Sequence, residues 1–226
     1  MTTGRKNISK NFWEGNEIFL KQLSQKILFA KKDKPTFFIS ICGAAATGKS
    51  TLAKTLAKYL EANKKNITVN ILPLDAFMFD RTDRAKYNLT GYDPKAHYID
   101  KVVGCIDNLR QGKVITYKPY SHLTGHYSNR NAKLQPSDII IFEGIHSFHK
   151  NILVKVDCAI FIDGEKEVLK ELRFNADVHE RKYRPSDAFH HSEPEYKNFE
   201  KFILPYRKAA DMVIKVQLNW QYSIPK

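Results

Sequence analysis

A glycine-rich loop between an apolar segment and an amphipathic segment constrains the fold of this chain more than any other feature. Residues 36–41, TFFISI, are aromatic and β-branched and predict a buried strand. Residues 43–50, GAAATGKS, follow the pattern Gly-x-x-x-x-Gly-Lys-Ser, and residues 49–63 carry leucines at helical spacing. Strand, glycine loop and helix in this order are typical of a phosphate-binding loop.

The residue types in this loop suit a phosphate chain. The two glycines let the backbone wrap around an anion with its N–H groups pointing inward, and the start of the helix adds its positive dipole end. We expect Lys49 to reach the β- and γ-phosphates and Ser50 to offer its hydroxyl to Mg²⁺. The residues predicted to bind phosphate are Gly43, Ala44, Ala45, Ala46, Thr47, Gly48, Lys49, Ser50 and Thr51. The loop therefore predicts a bound nucleoside triphosphate with magnesium.

Three further apolar segments predict the sheet. Residues 67–75, 138–144 and 158–164 lack in/out alternation, which is typical of strands buried on both faces of a parallel sheet between helices. The segments reach Asp75, Glu143 and Asp163, respectively, at or near their ends. Because ligands bind beyond the carboxyl ends of such strands, we expect the loop and the acids to meet at one edge of an α/β fold.

The acids have different predicted roles. Glu143 is predicted to hold Mg²⁺ together with Ser50, the alternative being a solvated acid at a strand end. Asp75 is predicted to accept the proton of an attacking hydroxyl, against a capping or turn role. Asp163 is predicted to cap the following helix or to serve a structural role.

Two flanking segments are predicted to be helical. Residues 165–183 predict one long charged helix, whose arginines either stabilise charge during phosphoryl transfer or form a solvated face. The segment before Pro35 predicts an amphipathic helix that packs over the sheet or a neighbouring subunit. Its apolar residues are Trp13, Ile18, Phe19, Leu23, Ile27 and Leu28.

The composition and net charge of the chain limit the classes of partner that it is expected to bind. The chain has 226 residues, enough for one well-packed core, and a net charge of +13, which favours anionic partners. The basic residues are scattered and not interleaved with stacking aromatics, so nucleic-acid binding is not expected. Apolar runs fall short of the ~18 residues of a membrane span, and we expect a cytoplasmic protein without a membrane partner. Cys42, Cys105 and Cys158 predict free thiols rather than a zinc site.

Five stretches together resemble the superfamily of uridine kinases, phosphoribulokinases and type I pantothenate kinases. They are GAAATGKST, LDAFMFDR, GKVITYKPYSH, DIIIFEGIH and FILPYRKAADMVI, and the resemblance covers residues 37–214. It implies that residues 1–226 form a single P-loop kinase domain that transfers the γ-phosphate of ATP to a hydroxyl of a small metabolite. Residues 1–34 would then be a helical extension, and about 165–200 a mobile helical lid.

The resemblance also implies roles for individual residues. Asp75 would be the catalytic base, Lys49 would act on the phosphates, and Glu143 would join Ser50 at the metal. Arg173 and Arg181 would be catalytic lid arginines, and Arg184 would bind phosphate. The implied acceptor-binding residues are Asp75, Tyr92, Tyr120, His122 and His126.

The acceptor itself is left open by the stretch PYSHLTGH, residues 119–126. Uridine kinases have an Asp after the tyrosine, whereas this chain has Ser121 and then His122, as in pantothenate kinases; the chain length favours a uridine kinase. A nucleoside such as uridine or cytidine is the first expectation, and pantothenate or a sugar-like compound the second. An alternative of another class is a non-catalytic nucleotide-binding or nucleic-acid-binding module. A homo-oligomer is compatible with the sequence.

Overall fold

This computed structural model describes the backbone of residues 3–225 and the side chains of residues 15–225. That part of the chain forms seven α-helices and ten strands. The helices are α1 (Thr3–Lys31), α2 (Lys49–Asn63), α3 (Arg81–Lys86), α4 (Ile99–Arg110), α5 (Lys150–Leu153), α6 (Lys166–His179) and α7 (Pro185–Phe202). The strands are β1 (Phe37–Gly43), β2 (Val69–Pro73), β3 (Ile115–Tyr117), β4 (Tyr120–Ser121), β5 (His126–Tyr127), β6 (Ala132–Leu134), β7 (Ile139–Glu143), β8 (Cys158–Asp163), β9 (Met212–Val216) and β10 (Tyr222–Ser223).

The central sheet has the strand order β10-β9-β8-β1-β7-β2. Neighbouring strands from β9 to β2 run parallel, and only β10 at the edge is antiparallel. Phe37, Ile39 and Ile41 of β1 join a core shared with α1 and α2, while Phe38 joins a second core shared with α4 and α5. Because helices cover both faces, the strands are apolar at nearly every position, and the predicted α/β fold is confirmed.

Most predicted elements are present, with some boundaries shifted. The predicted helix over residues 49–63 is α2, and the four predicted strands are β1, β2, β7 and β8. The strand predicted to reach Asp75 ends earlier, at Pro73, and Asp75 lies in the 3₁₀ turn Leu74–Phe77. Strands β9 and β10 were not predicted.

The charged helix predicted over residues 165–183 is present as α6, but it ends earlier than predicted. Helix α6 ends at His179, and α7 begins at Pro185. Between them Lys182 has a φ of 63°, a left-handed conformation that an α-helix does not continue through. Proline fits the first turn of a new helix, because its missing N–H would be unpaired there anyway.

Helix α1 packs against α2 and β10. Leu20, Leu23 and Ile27 are fully buried, whereas Ile18 is 77% exposed. The predicted amphipathic helix is thus present and covers its own domain; the side chain of Trp13 lies outside the described residues. None of the described helices is long and apolar enough to cross a membrane.

The cysteines behave largely as predicted. Cys42 and Cys158 are buried, Cys105 is half-buried, and all three are free thiols. Among the described residues no cluster of His, Cys, Asp or Glu could hold a metal ion by these side chains alone.

Candidate active site

The glycine loop joins β1 to α2, and its two glycines are needed for different reasons. Gly43 has a φ of 147°, and a Cβ at this position would lie 2.5 Å from the carbonyl oxygen of Ile162 on the neighbouring strand. Gly48 has a φ of 79° and immediately precedes α2. Side chains at these positions would clash or strain the backbone, so the loop requires glycine at both ends.

Lys49 lies across the mouth of the loop. Its side chain is 8% exposed, and its Nζ donates to the carbonyl oxygen of Ala44 at 2.7 Å. Burial lowers the pKa of Lys49, and the nearby carboxylates of Glu143 and Asp75 oppose that shift. The predicted loop lysine and two of the three predicted acids are therefore close enough to interact.

Glu143 and Ser50 form the second part of the site. The Ser50 hydroxyl donates to Oε1 of Glu143 at 2.9 Å. Glu143 is 4% exposed at the end of β7, where burial and the charge of Asp75 raise its pKa to about 7. A buried carboxyl group beside a second acid is poorly stabilised as an anion, so this position favours a nearby cation.

Asp75 is held by a histidine. His122 Nε2 lies 2.7 Å from Oδ2 of Asp75. Burial raises the pKa of Asp75, but the His122 hydrogen bond and charge together with Lys49 outweigh it and lower the pKa to about 2. Asp75 is therefore a carboxylate that can accept a proton from a group placed beside it.

These groups line one pocket with a volume of about 360 Å³. The predicted residues that line it are Ala45, Ala46, Gly48, Lys49, Ser50, Thr51, Asp75, Tyr92, Tyr120, His122, Glu143, Arg173 and Arg181. The predicted residues that do not line it are Gly43, Ala44, Thr47, His126 and Arg184. The Thr47 hydroxyl instead donates to the Ala44 carbonyl at 2.8 Å inside the loop.

Tyr92 contacts the phosphate loop. It is 5% exposed, and its hydroxyl accepts a hydrogen bond from the N–H of Ala45 at 3.3 Å. Buried His146 donates from Nε2 to the carbonyl oxygen of Tyr92 at 2.9 Å, and burial is the main reason that its pKa falls to about 3. A neutral histidine thus fixes the segment that carries Tyr92; this histidine was not predicted, although it ends the DIIIFEGIH stretch.

Arg173 and Arg181 belong to an ion-pair cluster at the pocket wall. Asp177 is fully buried and binds Nε of Arg173 at 2.9 Å and Nη1 of Arg181 at 2.6 Å. Arg173 also pairs with Glu195 at 3.1 Å and so connects α6 to α7. The side chains of Arg173 and Arg181 are 14% and 19% exposed, so the alternative of a solvated arginine face is wrong for both.

Of the predicted residues that do not line the pocket, Arg184 and His126 belong to segments outside the phosphate loop. The Arg184 side chain is 81% exposed and pairs with Asp187, because the chain has left α6 before it reaches this position. His126 was predicted to bind the acceptor, but the chain turns back at Gly125, where β5 pairs with β4. His126 lies 3.5 Å from Asp80 instead.

Asp163 has the structural role that was one of its two predicted options. It pairs with Arg207 at 2.9 Å and Lys215 at 2.8 Å, while the residue that caps α6 is Glu165.

Arg81 and Arg84 line the pocket beside Asp75 and were not predicted. Arg84 donates to the Tyr120 hydroxyl at 2.9 Å, and Arg81 donates to the carbonyl oxygen of His122 at 2.9 Å. Arg81 ends the stretch LDAFMFDR, but nothing in the local sequence separates it from an ordinary surface arginine.

The fold and the site together define a P-loop kinase: a parallel sheet, and a phosphate-binding loop whose lysine shares one pocket with the carboxylates of Asp75 and Glu143. The Phosphoribulokinase / Uridine kinase family matches residues 38–221. The chain belongs to this family and is an ATP-dependent kinase.

Curated relatives carry both names of the family. The uridine kinase of Haemophilus ducreyi is 29% identical over 183 residues, which are 78% of this chain and 83% of the relative. The uridine-cytidine kinase B of Dictyostelium discoideum is 30% identical, covering 80% of this chain and 75% of the relative. The phosphoribulokinase of a Synechocystis species is 27% identical over 79% of this chain, which spans about half (53%) of that relative.

Solved structures show the same fold at low identity. A D-glycerate 3-kinase from Cryptococcus neoformans var. grubii matches with a TM-score of 0.68 at 13% identity, covering 92% of this chain and 98% of that chain. The phosphoribulokinase from Rhodobacter spheroides matches with a TM-score of 0.60 at 14% identity, covering 81% and 71%.

Proposed function

We propose that the protein transfers the γ-phosphate of ATP to a hydroxyl group of a small metabolite, with a nucleoside as the first candidate acceptor. The observation that carries the proposal is the position of Asp75, an ionised carboxylate in the same pocket as Lys49 and the phosphate loop. A base beside the terminal phosphates is what a kinase needs to accept the proton of an attacking hydroxyl.

In this mechanism the acceptor oxygen attacks the γ-phosphorus while a carboxylate oxygen of Asp75 accepts the hydroxyl proton. The bond between the γ-phosphorus and the β,γ-bridging oxygen breaks, and ADP leaves. The imidazole of His122, 2.7 Å away, fixes the orientation of the carboxylate. Lys49 neutralises charge on the β- and γ-phosphates, and Arg173 and Arg181 add positive charge from the lid side of the pocket. The protein therefore contributes to catalysis mainly by positioning the reactants and by stabilising charge electrostatically.

Glu143 and the Ser50 hydroxyl are oxygen donors of the kind that Mg²⁺ prefers, and they are in direct contact. Glu143 is buried beside Asp75, which fits a divalent cation that would offset the negative charge of the two acids. When bound, Mg²⁺ supplies charge neutralisation for the phosphate oxygens.

A nucleoside acceptor is supported by the aromatic character of the pocket beyond Asp75. The rings of Tyr120 and His122 lie 5.3 Å apart in an edge-to-face arrangement at this end. Such rings can stack on a base or a sugar and can donate to a hydroxyl or a carbonyl. Curated relatives that are named uridine kinases add support.

A second candidate acceptor, a hydroxyl compound with an anionic group, is favoured by Arg84. Its Nε is buried and has no hydrogen-bond partner, and its Nη1 reaches only the sulfur of Met78. In the described part of the chain, neither Arg81 nor Arg84 has a carboxylate within 4.0 Å, whereas Arg173 and Arg181 do. A phosphate or a carboxylate of the acceptor would satisfy these guanidinium groups.

The test is a transfer assay with ATP, Mg²⁺ and three acceptor sets: nucleosides, phosphorylated sugars, and hydroxy acids such as pantothenate. The wild type is compared with Arg84→Gln, and with Lys86→Gln as the matched control on the exposed side of the same helix. The first candidate predicts product with uridine or cytidine and an acceptor KM that changes little in Arg84→Gln.

The second candidate predicts product with an anionic acceptor and, in Arg84→Gln, an acceptor KM higher by ~10-fold or more with an unchanged KM for ATP. Lys86→Gln should match the wild type in either case. Bound ATP without transfer to any of the three sets would contradict the proposed function and favour a non-catalytic nucleotide-binding module.

A further inference from the structure

A turn near the end of the described chain contacts the phosphate loop, and its Trp220 also lines the pocket. The indole Nε1 of Trp220 donates to the carbonyl oxygen of Ala46 at 2.9 Å, and the hydroxyl of Tyr222 donates to the carbonyl oxygen of Thr47 at 2.6 Å. The contact is close: a Cβ at Gly48 would lie 2.4 Å from the Tyr222 hydroxyl and 2.9 Å from the Trp220 ring. Two successive loop carbonyls are thus held by one short segment.

The position of these carbonyls decides where the loop N–H groups point. In a trans peptide unit the C=O and the N–H point in opposite directions. The carbonyl of Ala46 shares its peptide plane with the N–H of Thr47, and the carbonyl of Thr47 shares its plane with the N–H of Gly48. Holding the two carbonyls toward the C-terminal turn therefore aims the N–H groups of Thr47 and Gly48 away from it, to the side on which a phosphate nest forms.

The N-terminal helix holds this turn in place. Asn16 is 2% exposed and interrupts the regular geometry of α1 with a φ of −124°. Its Nδ2 donates to the carbonyl oxygen of Trp220 at 3.0 Å, and its Oδ1 accepts from the N–H of Tyr222 at 2.8 Å. The side chain of Asn16 thus makes a hydrogen bond to the backbone on each side of residue 221.

The turn itself is strained. Asn219 and Trp220 have φ values of 63° and 54°, a left-handed conformation that is strained for a bulky residue such as Trp220. Such a conformation persists only where its surroundings hold it, here the hydrogen bonds to Asn16 and the stacking of Tyr222 on Phe19, with ring centroids 5.4 Å apart.

We infer that Asn16, Trp220 and Tyr222 form a brace that fixes the phosphate loop in its nucleotide-binding shape, and that they are positioning residues for the triphosphate. The family match spans residues 38–221, so Trp220 lies within it, whereas Asn16 and Tyr222 lie outside it. The inference depends on nucleotide binding and not on which acceptor is used.

The test is equilibrium binding by calorimetry, with ATP and with inorganic tripolyphosphate as the two probes and no acceptor present. Tyr222→Phe removes only the hydroxyl, Trp220→Phe removes the indole N–H but keeps an aromatic ring, and Asn16→Ala releases the turn. Glu17→Ala, exposed on the same helix, is the matched control. Thermal melting of each variant checks that the measurement is made on folded protein.

Each brace variant should bind ATP and tripolyphosphate more weakly by the same factor, ~3- to 10-fold, which is the loss of about one hydrogen bond. Glu17→Ala should bind both as the wild type does. Wild-type affinities in folded Tyr222→Phe and Asn16→Ala would overturn the inference. Weaker ATP binding with unchanged tripolyphosphate binding would also overturn it, because the turn would then contact the base rather than shape the loop. These binding measurements need no acceptor, so they test the brace alone. The transfer assay tests the proposed function independently.

Discussion

Lys49 places an ammonium group where the loop, Glu143 and Asp75 come together. Its side chain is buried, and its Nζ is held by the Ala44 carbonyl at 2.7 Å. Burial disfavours a charge, so the cost of keeping Lys49 there is offset by the two acids and, in the working enzyme, by the phosphates.

Replacing Lys49 with alanine should abolish phosphoryl transfer without unfolding the protein. Among the described residues, Lys49 is the lysine that lines the pocket at the loop, so its loss leaves the β- and γ-phosphate oxygens without their main counter-charge. Steady-state kinetics and circular dichroism measure the two effects. Lys58→Ala, on the exposed face of the same helix, should behave as the wild type. A folded Lys49→Ala enzyme with near-normal kcat would show that this loop is not the catalytic phosphate site.

At the scale of single residues, the sequence predicted those side chains whose position follows from one motif. Lys49, Ser50 and Glu143 directly follow a glycine loop or end a strand, and the structure brings them together as expected. Arg84 and Trp220 were missed because they reach the pocket through packing between segments far apart in the chain. His126 was misplaced because its direction depends on the turn at Gly125, which periodicity does not reveal.

At the scale of elements, the break between α6 and α7 determines which arginines face the pocket. Arg173 and Arg181 line it and share Asp177, whereas Arg184 follows the left-handed residue Lys182 and faces solvent. The composition of residues 165–183 is helix-forming throughout, so the sequence predicted one helix over this range. Pro185 is visible in the sequence, but the positive φ of Lys182 that separates α6 from α7 is seen only in the structure.

Arg181→Ala should lower kcat by on the order of 10²-fold while ATP affinity falls much less, because charge on the transferring group is greatest in the transition state. Arg184→Ala is the matched comparison, and its kinetics should stay near wild type. Initial rates give kcat, and calorimetry gives the ATP affinity. A melting curve shows whether the unpaired charge left on Asp177 destabilises the fold. If the two variants showed equal losses, the lid would close in a way that also brings Arg184 to the phosphates.

At the scale of the whole molecule, α1 completes the core on one face of the sheet. Leu20, Leu23 and Ile27 are fully buried and join the cluster that contains β1 and α2. The amphipathic pattern predicted that this segment packs, but not onto which surface, because the partner surface is created only when β10 and α2 are in place. The parallel sheet, in contrast, was predictable from its continuous apolar strands.

Leu23→Ala should therefore lower the free energy of unfolding by about 2–5 kcal/mol, the usual cost of a buried leucine with the cavity it leaves. Ile18→Ala, on the same helix at a position that is 77% exposed, should change it by less than about 0.5 kcal/mol. Urea unfolding followed by fluorescence measures both values. Equal stabilities of the two variants would mean that α1 does not contribute to the folded core.

The most direct measurement of the central claim is the comparison of Asp75→Asn with the wild type in both γ-phosphate transfer and ATP binding. If Asp75 is the base, kcat should fall by at least ~10²-fold while the dissociation constant of ATP changes little, because asparagine keeps the shape but does not accept the proton. Asp83→Asn, exposed on α3, is the control and should be unchanged in both. Turnover that survives in Asp75→Asn while ATP affinity collapses would contradict the account: Asp75 would then belong to the metal site, and another group would be the base.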